Sequence, residues 1–166
     1  MRLVYFDSSI FLAIFNGEKA CSDIRALLKE LRQENSRICT SIITIQEVSV
    51  LSFRAGVTVL DNHSKVSRMA RIQGVSKEVA MTAAKIEAQM IDRALRESSQ
   101  EPKSQRRKWD CFHLATALTL HCDHLYTLDN GLLGCDELIG QSGMRLSEPK
   151  PKAYPLFPEA TQTQLQ

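Results

Sequence analysis

The run Leu3-Val4-Tyr5-Phe6 is apolar at every position. A strand with one face in solvent would alternate apolar and polar residues, so a continuous run of β-formers marks a strand buried on both faces. Such a strand needs helices above and below it, which points to an open, mostly parallel sheet in an α/β fold. Asp7 follows the run directly, at the carboxyl end of the strand, where open α/β sheets place their sites.

The rest of the chain alternates in the same sense. Ser8 and Ser9 offer N-caps for a short apolar helix over Ile10 to Phe15, which Asn16-Gly17 stops. A helix from about Ala20 to Glu34 aligns Ile24, Leu27, Leu28 and Leu31. Arg37 to Ile42 reads as a second strand and Thr44 to Ala55 as a helix with Glu47 in its first turn. Val57 to Lys65 fits either helix or loop, and Val66 to Ile72 is a strand candidate ended by Gly74. Ser76 caps the longest helix, about Lys77 to Glu97.

Ser98 to Lys108 is polar and reads as an exposed loop feeding a helix that Asp110 opens. Leu114, Ala117, Leu118 and His121 recur along that helix at helical spacing. Leu125 to Leu128 is then a β-prone run stopped by Asp129-Asn130-Gly131, and Met144 to Leu146 a last strand. Residues 1–147 make one domain, and the prolines Pro149, Pro151, Pro155 and Pro158 mark residues 148–166 as an extended tail.

A chain of 166 residues with 43% hydrophobic content can bury one sizeable core. Its 21 basic and 19 acidic side chains nearly balance, so net charge alone neither requires nor forbids a polyanionic partner. Five scattered cysteines without a C-x-x-C pair indicate neither a disulfide framework nor a zinc ribbon and fit a reducing cytoplasm. The opening apolar run is too short for a secretory leader, and no run approaches the ~18 residues of a membrane span. A cytoplasmic protein without membrane contact is the expectation.

Four acids then fall near the carboxyl edge of the sheet: Asp7 and Asp129 at strand ends, Glu47 in the helix after a strand, and Asp110 at a helix start. Each alone is explained by helix capping, Thr44-x-x-Glu47 even matching a capping box. Together they repel one another and raise their own pKa values unless a cation offsets them, which implies a hard, oxygen-preferring ion. Other acids, such as Glu18, Glu30, Glu78, Glu87 and Asp92, fall on polar helix faces and read as solvated. His121-Cys122-Asp123-His124 lacks a second half at zinc spacing. His113 reads as a packed histidine, and a Ser8-His113-Asp110 triad has no nucleophile elbow to support it. Arg106, Arg107 and Lys108 form the basic cluster nearest the acids and are candidate RNA contacts. Trp109 beside them is either a packing anchor or a base-stacking surface.

Val4-Tyr5-Phe6-Asp7-Ser8-Ser9, Thr44-Ile45-Gln46-Glu47-Val48, Asp110-x-x-His113-Leu114-Ala115-Thr116-Ala117 and Tyr126-Thr127-Leu128-Asp129 resemble the four acidic motifs of PIN-domain ribonucleases. The VapC-like toxins of toxin–antitoxin pairs are the nearest subgroup. The resemblance covers Met1 to Leu146, with Ser9 standing where the family often has asparagine. It implies a three-layer α/β/α sandwich with a mostly parallel sheet of about five strands. It further implies Mg²⁺- or Mn²⁺-dependent cleavage of single-stranded RNA to 5′-phosphate and 3′-hydroxyl ends. Asp7 and Asp110 would be the principal metal ligands, with Glu47 and Asp129 completing the pocket directly or through waters. Ser9 and Thr127 would support them from behind, Thr127 steadying Asp129. A homodimer and a cognate antitoxin seated in a groove beside the acids are implied as partners.

Two other readings compete. A haloacid-dehalogenase-like phosphatase also begins with strand-Asp, but needs a second aspartate where Ser9 stands. A PIN-like module that has lost catalysis would keep the fold and only hold RNA or a protein partner; the presence of all four acids argues against it.

Overall fold

The computed structural model describes residues 1–54, 56, 59–98 and 104–150, without the side chains of 51, 59, 60, 97, 98, 104–107 and 141. In chain order the elements are β1 (Leu3–Phe6), α1 (Ser8–Asn16), α2 (Cys21–Gln33), β2 (Arg37–Ser41), α3 (Ile42–Arg54), α4 (Val59–Met69) and β3 (Arg71–Gln73). Then follow α5 (Lys77–Ser98), α6 (Ser104–Thr119), β4 (His124–Tyr126), α7 (Asn130–Leu133), α8 (Asp136–Ile139) and β5 (Arg145–Ser147). The five described strands form one sheet in the order β3-β2-β1-β4-β5, every neighbouring pair parallel.

Side chains of β1 alternate between two cores, which is why none of its positions is polar. Val4 and Phe6 pack with Ile10, Phe11, Ile24, Leu27 and Leu31 of α1 and α2 on one face. Tyr5 packs with Val79, Ala83 and Ile86 of α5 and Cys111, Leu114 and Ala115 of α6 on the other. The result is the α/β/α sandwich expected from the sequence. The chain adds β2 and β3 on one side of β1 and returns to add β4 and β5 on the other. The order therefore reverses between β1 and β4, and the carboxyl ends of those two strands flank the switch-point crevice.

Several expectations are corrected. Val66 lies in α4, not in a strand: Val66 and Ala70, at i, i+4 spacing, are both buried, and the strand begins only at Arg71. The basic residues 106–108 lie in α6, because the helix begins at Ser104 and not at Asp110. Gln, Arg and Lys are good helix formers, so the segment extends α6 toward its amino end instead of forming a loop. Asp110 is thus more than one turn inside the helix. Glu47 likewise sits in the second turn of α3, because the helix starts at Ile42. The capping box is not formed: Thr44 Oγ1 lies 2.7 Å from Thr40 Oγ1, while the Ile43 N–H donates to Ser41 Oγ at 3.2 Å.

The apolar helix α1 is better covered than its composition suggests. Ile10, Phe11 and Ala13 are fully buried, and Leu12, Ile14 and Phe15 are half-buried against the same core. Lys65 of α4 lies over the Phe15 ring, 5.6 Å from its centroid. Large exposed apolar side chains stand elsewhere, notably Ile42, Val50 and Phe53 of α3. Among the described residues, Glu148 to Lys150 follow β5 with Pro149 buried; residues 151–166, most of the expected tail, lie outside the described part. No described helix is long and apolar enough to cross a membrane.

Candidate active site

Register brings the first two partners together. Phe6 of β1 pairs with Tyr126 of β4, so the next residues, Asp7 and Thr127, stand side by side at the switch point. Thr127 Oγ1 donates to Asp7 Oδ2 at 2.8 Å, and Ser9 Oγ donates to Asp7 Oδ1 at 2.6 Å. Both hydroxyls also accept a backbone N–H, Ser9 from Leu128 at 2.8 Å and Thr127 from Asp129 at 2.9 Å. Thr127 thus holds both the Asp7 carboxylate and the Asp129 main chain. Asp7 occupies the N-cap position of α1, and besides these two hydroxyls its carboxylate meets the Ile10 backbone N–H. It is only 2% exposed, and burial raises its pKa against the pull of His113 and of the Ser9 and Thr127 hydrogen bonds.

Asp129 caps α7, its Oδ1 accepting the Gly131 N–H at 2.6 Å. Asp110 approaches from α6. A Cβ on Gly131 would fall 2.9 Å from Asp129 Oδ1 and 3.9 Å from Asp110 Oδ2, so the bare glycine leaves both carboxylates facing one small space. An open cavity of about 570 Å³ lies here, lined by Ser9, Leu12, Glu18, Asp110, Leu128, Asp129, Asn130 and Gly131. Glu18, which reads as solvated in the sequence, is therefore a further acid at the rim; Asn16 Nδ2 donates to it at 3.2 Å. Its position after the Gly17 turn gives no sequence signal for that role.

Glu47 is half-buried on α3. Its Oε2 accepts from His113 Nε2 at 2.9 Å, and His113 Nδ1 lies 2.7 Å from the Tyr5 hydroxyl. Burial pushes the Glu47 carboxyl up, but the hydrogen bond and charge of His113 outweigh it, leaving a pKa below the ordinary value. For His113, burial lowers the imidazole pKa, and the hydrogen bond and charge of Glu47, then Asp7 and Asp110, bring it above the usual value. His113 is 1% exposed and committed on both ring nitrogens, which removes the Ser8-His113-Asp110 triad. Its sequence signal is the one-turn spacing from Asp110, which puts both on one side of α6.

Asp110 carries the strongest mark of crowding. Burial first, then the charges of Asp129, Glu47 and Asp7, push its carboxyl up to about 7 despite the opposing pull of His113. The donor set is all oxygen and anionic, which suits a hard divalent cation. The fit is one of charge and donor type: among the described residues no three His, Cys, Asp or Glu side chains converge closely enough to form a coordination shell. The same holds for His121 to His124, where His124 is engaged by Arg2 at 3.2 Å and Ser147 at 2.6 Å. Of the basic cluster, Lys108 is exposed, and the side chains of Arg106 and Arg107 lie outside the described part. Trp109 is 36% exposed and leans on Phe112, their rings 6.2 Å apart.

A parallel 3-2-1-4-5 sheet with acids gathered at its switch point defines an α/β/α protein with an anionic crevice. The chain belongs to the PIN-domain family, whose model matches residues 4–137. No curated protein sequence matches it. Several solved structures share the fold at low identity. A toxin–antitoxin complex from Klebsiella pneumoniae contains a chain 18% identical with a TM-score of 0.55, covering 88% of this chain and 97% of that one. In VapBC-1 from nontypeable Haemophilus influenzae the values are 13%, 0.60, 89% and 98%. In VapBC2 from Rickettsia felis bound to a DNA fragment from its promoter they are 15%, 0.55, 88% and 98%.

The carboxylate crowding has a measurable consequence. A raised folded-state pKa means that the folded protein binds a proton more tightly than the unfolded chain, so stability falls as pH rises from the ordinary aspartate value, 3.8, to about 7. The raised pKa values of Asp7 and His113 act in the same direction, whereas the lowered Glu47 opposes them only at acid pH. In metal-free protein the melting temperature should drop between about pH 4.5, where the opposing Glu47 has finished titrating, and about pH 7. Asp110→Asn should flatten that drop and melt higher than the parent at the alkaline end. A variant that melts lower at every pH would show that Asp110 is stabilised, not strained, by its surroundings.

Proposed function

We propose that the protein is a metal-dependent endoribonuclease that cuts single-stranded RNA, working as a VapC-like toxin with a cognate antitoxin. The observation that carries this reading is Asp110: a carboxyl pushed up to about 7 by burial and by three other acids, facing Asp129 across the bare Gly131 in an open cavity. That negative potential favours Mg²⁺ or Mn²⁺ and disfavours an RNA phosphate unless a cation is present.

In this reading Asp7 and Asp110 are the principal metal ligands, and Glu47 and Asp129 complete the acidic pocket directly or through waters. When bound, the ion supplies Lewis acidity, activating water for in-line attack at phosphorus and neutralising charge on the leaving oxygen. Ser9 and Thr127 each take one lone pair from a different Asp7 oxygen and the Ile10 backbone N–H a third, which fixes the carboxylate and leaves it one of its four lone pairs for a cation. Leu12 and Leu128 give the cavity an apolar wall against which a base or an antitoxin side chain can rest. Lys108, with Arg106 and Arg107, contacts flanking phosphates from the amino-terminal part of α6. Products carry 5′-phosphate and 3′-hydroxyl ends.

A homodimer belongs to the same proposal, and Ile42, Val50 and Phe53 of α3, all exposed, offer its apolar surface. The domain comprises residues 1–147 with 148–166 as an appended tail, and the protein acts in the cytoplasm. A binding-only module draws on the unconverged carboxylates, and catalysis separates the two readings.

The purified protein should cleave single-stranded RNA with Mg²⁺ or Mn²⁺ and stop in excess EDTA. Asp7→Asn and Asp110→Asn should each abolish cleavage while melting cooperatively, since the change removes charge and keeps shape. Cleavage in EDTA, or in both variants, would sink the nuclease reading; inactivity of the parent with every divalent ion would leave the binding module. Replacing Arg106, Arg107 and Lys108 by Ala should flatten the salt dependence of RNA binding, the slope falling by about 0.7 for each phosphate no longer neutralised. For assembly, light scattering of the chain at tens of micromolar should give twice the monomer mass, and a strict monomer would refute the dimer. The product of an adjacent short reading frame should co-purify with the chain and inhibit cleavage, and failure on both counts would remove the antitoxin.

A further inference from the structure

Among the described residues, one chain of polar contacts ties three elements together beside the carboxylates. Tyr5 of β1 is wholly buried, its hydroxyl lies 2.7 Å from His113 Nδ1 of α6, and His113 Nε2 lies 2.9 Å from Glu47 Oε2 of α3. An ionised carboxylate offers only acceptors, so Nε2 must carry the hydrogen and donate to Glu47. Nδ1 accepts from the Tyr5 O–H in the neutral ring and donates to the Tyr5 oxygen in the imidazolium, and the Thr40 side chain and Ser41 backbone hold that hydroxyl in turn. The ring is oriented from behind, and its donor is aimed at a single oxygen of Glu47.

Each link is also tied in sequence to an acid. Tyr5 precedes Asp7 by two residues and so shares its side of β1. His113 follows Asp110 by one helical turn. The chain of hydrogen bonds therefore sets the spacing between the three elements that carry Asp7, Asp110 and Glu47, and leaves Glu47 Oε1 outside the His113 contact.

We propose that His113, oriented by Tyr5, is the positioning residue for Glu47: it holds Oε2 and, with the Ser8 side chain that also bonds this carboxylate, fixes Glu47 in the anionic neighbourhood of Asp110 where a cation would sit. This rests on the nuclease reading for its purpose, but not for its geometry. A packing role alone would require only the ring's volume. Positioning requires the Nε2 donor, and removing an outer partner of this kind costs about 10–100-fold in metal affinity or activity.

The test combines ring NMR with a Mn²⁺ titration followed by electron paramagnetic resonance. In ¹⁵N-histidine-labelled protein, His113 should show hydrogen on Nε2, with a resonance that moves in Glu47→Gln; a ring bare at Nε2, or one insensitive to that change, overturns the proposal whether or not the protein cuts RNA. His113→Leu, which keeps bulk and removes the donor, should weaken Mn²⁺ binding by about 10-fold or more and lower kcat more than it raises KM. His113→Gln, whose amide can still donate to Glu47, should recover most of that affinity. In the Glu47→Gln background His113→Leu should add little further loss, because the two act as one unit. Equal Mn²⁺ affinity in the Leu and Gln variants, or fully additive losses, would reduce His113 to packing. Should His113→Leu not fold, Tyr5→Phe replaces it: removal of the O–H should shift the ring resonances and weaken Mn²⁺ binding measurably, and an unchanged ring and affinity would overturn the proposal. A parent protein that binds no Mn²⁺ refutes the nuclease reading instead, while the NMR result still decides the orientation of the ring.

Discussion

Burial of β1 on both faces is the constraint from which the site follows. With Val4 and Phe6 committed to one core and Tyr5 to the other, the strand can reach water only at its ends, and its first polar side chain is the Asp7 carboxylate. Parallel pairing with β4 then sets Thr127 beside Asp7, and the reversal of strand order opens a crevice there. A buried anion in that position is costly unless it is hydrogen-bonded. Ser9 and Thr127 supply those bonds, and each hydroxyl is itself fixed by a backbone N–H. Asp7 is therefore held in place while nearly fully buried, whereas Asp110 and Asp129 line the open cavity.

The remaining acids are placed by packing at a distance. Long α6 lies against β1 through Leu114 and Ala115, and that packing carries Asp110 to the carboxyl edge although it sits well inside the helix. His113 and Glu47, 66 residues apart in sequence, close the gap between α6 and α3. The outcome is a local imbalance: one favourable His–Glu pair and, beside it, an aspartate held in a field of like charge. A stable domain tolerates such an imbalance where function uses it.

Much of this is legible in the sequence, for reasons that differ by residue. Asp7 and Asp129 stand out because continuous apolar runs end at them, and the alternation of strand and helix then assigns them to one edge. Asp110 reaches that edge by a different route from the one its sequence suggests: it is not a helix start, and what brings it there is the docking of α6. Val66 to Ile72 misleads because Val66, Met69 and Ala70 make an apolar pattern too short to distinguish period 2 from period 3.6. Glu18 and Gly131 carry no signal, since a rim position and an absent Cβ acquire meaning only from their neighbours in space. The Tyr5–His113–Glu47 chain is equally invisible, as its members lie on three elements and each alone reads as packing or capping.

The proposed cation at the switch-point edge is read directly by anomalous scattering at the manganese absorption edge. In crystals equilibrated with Mn²⁺, the account predicts a peak about 2.0–2.6 Å from carboxylate oxygens of both Asp7 and Asp110, beside Gly131. No peak at saturating Mn²⁺, or a peak ligated only by surface acids away from Asp7, would contradict it.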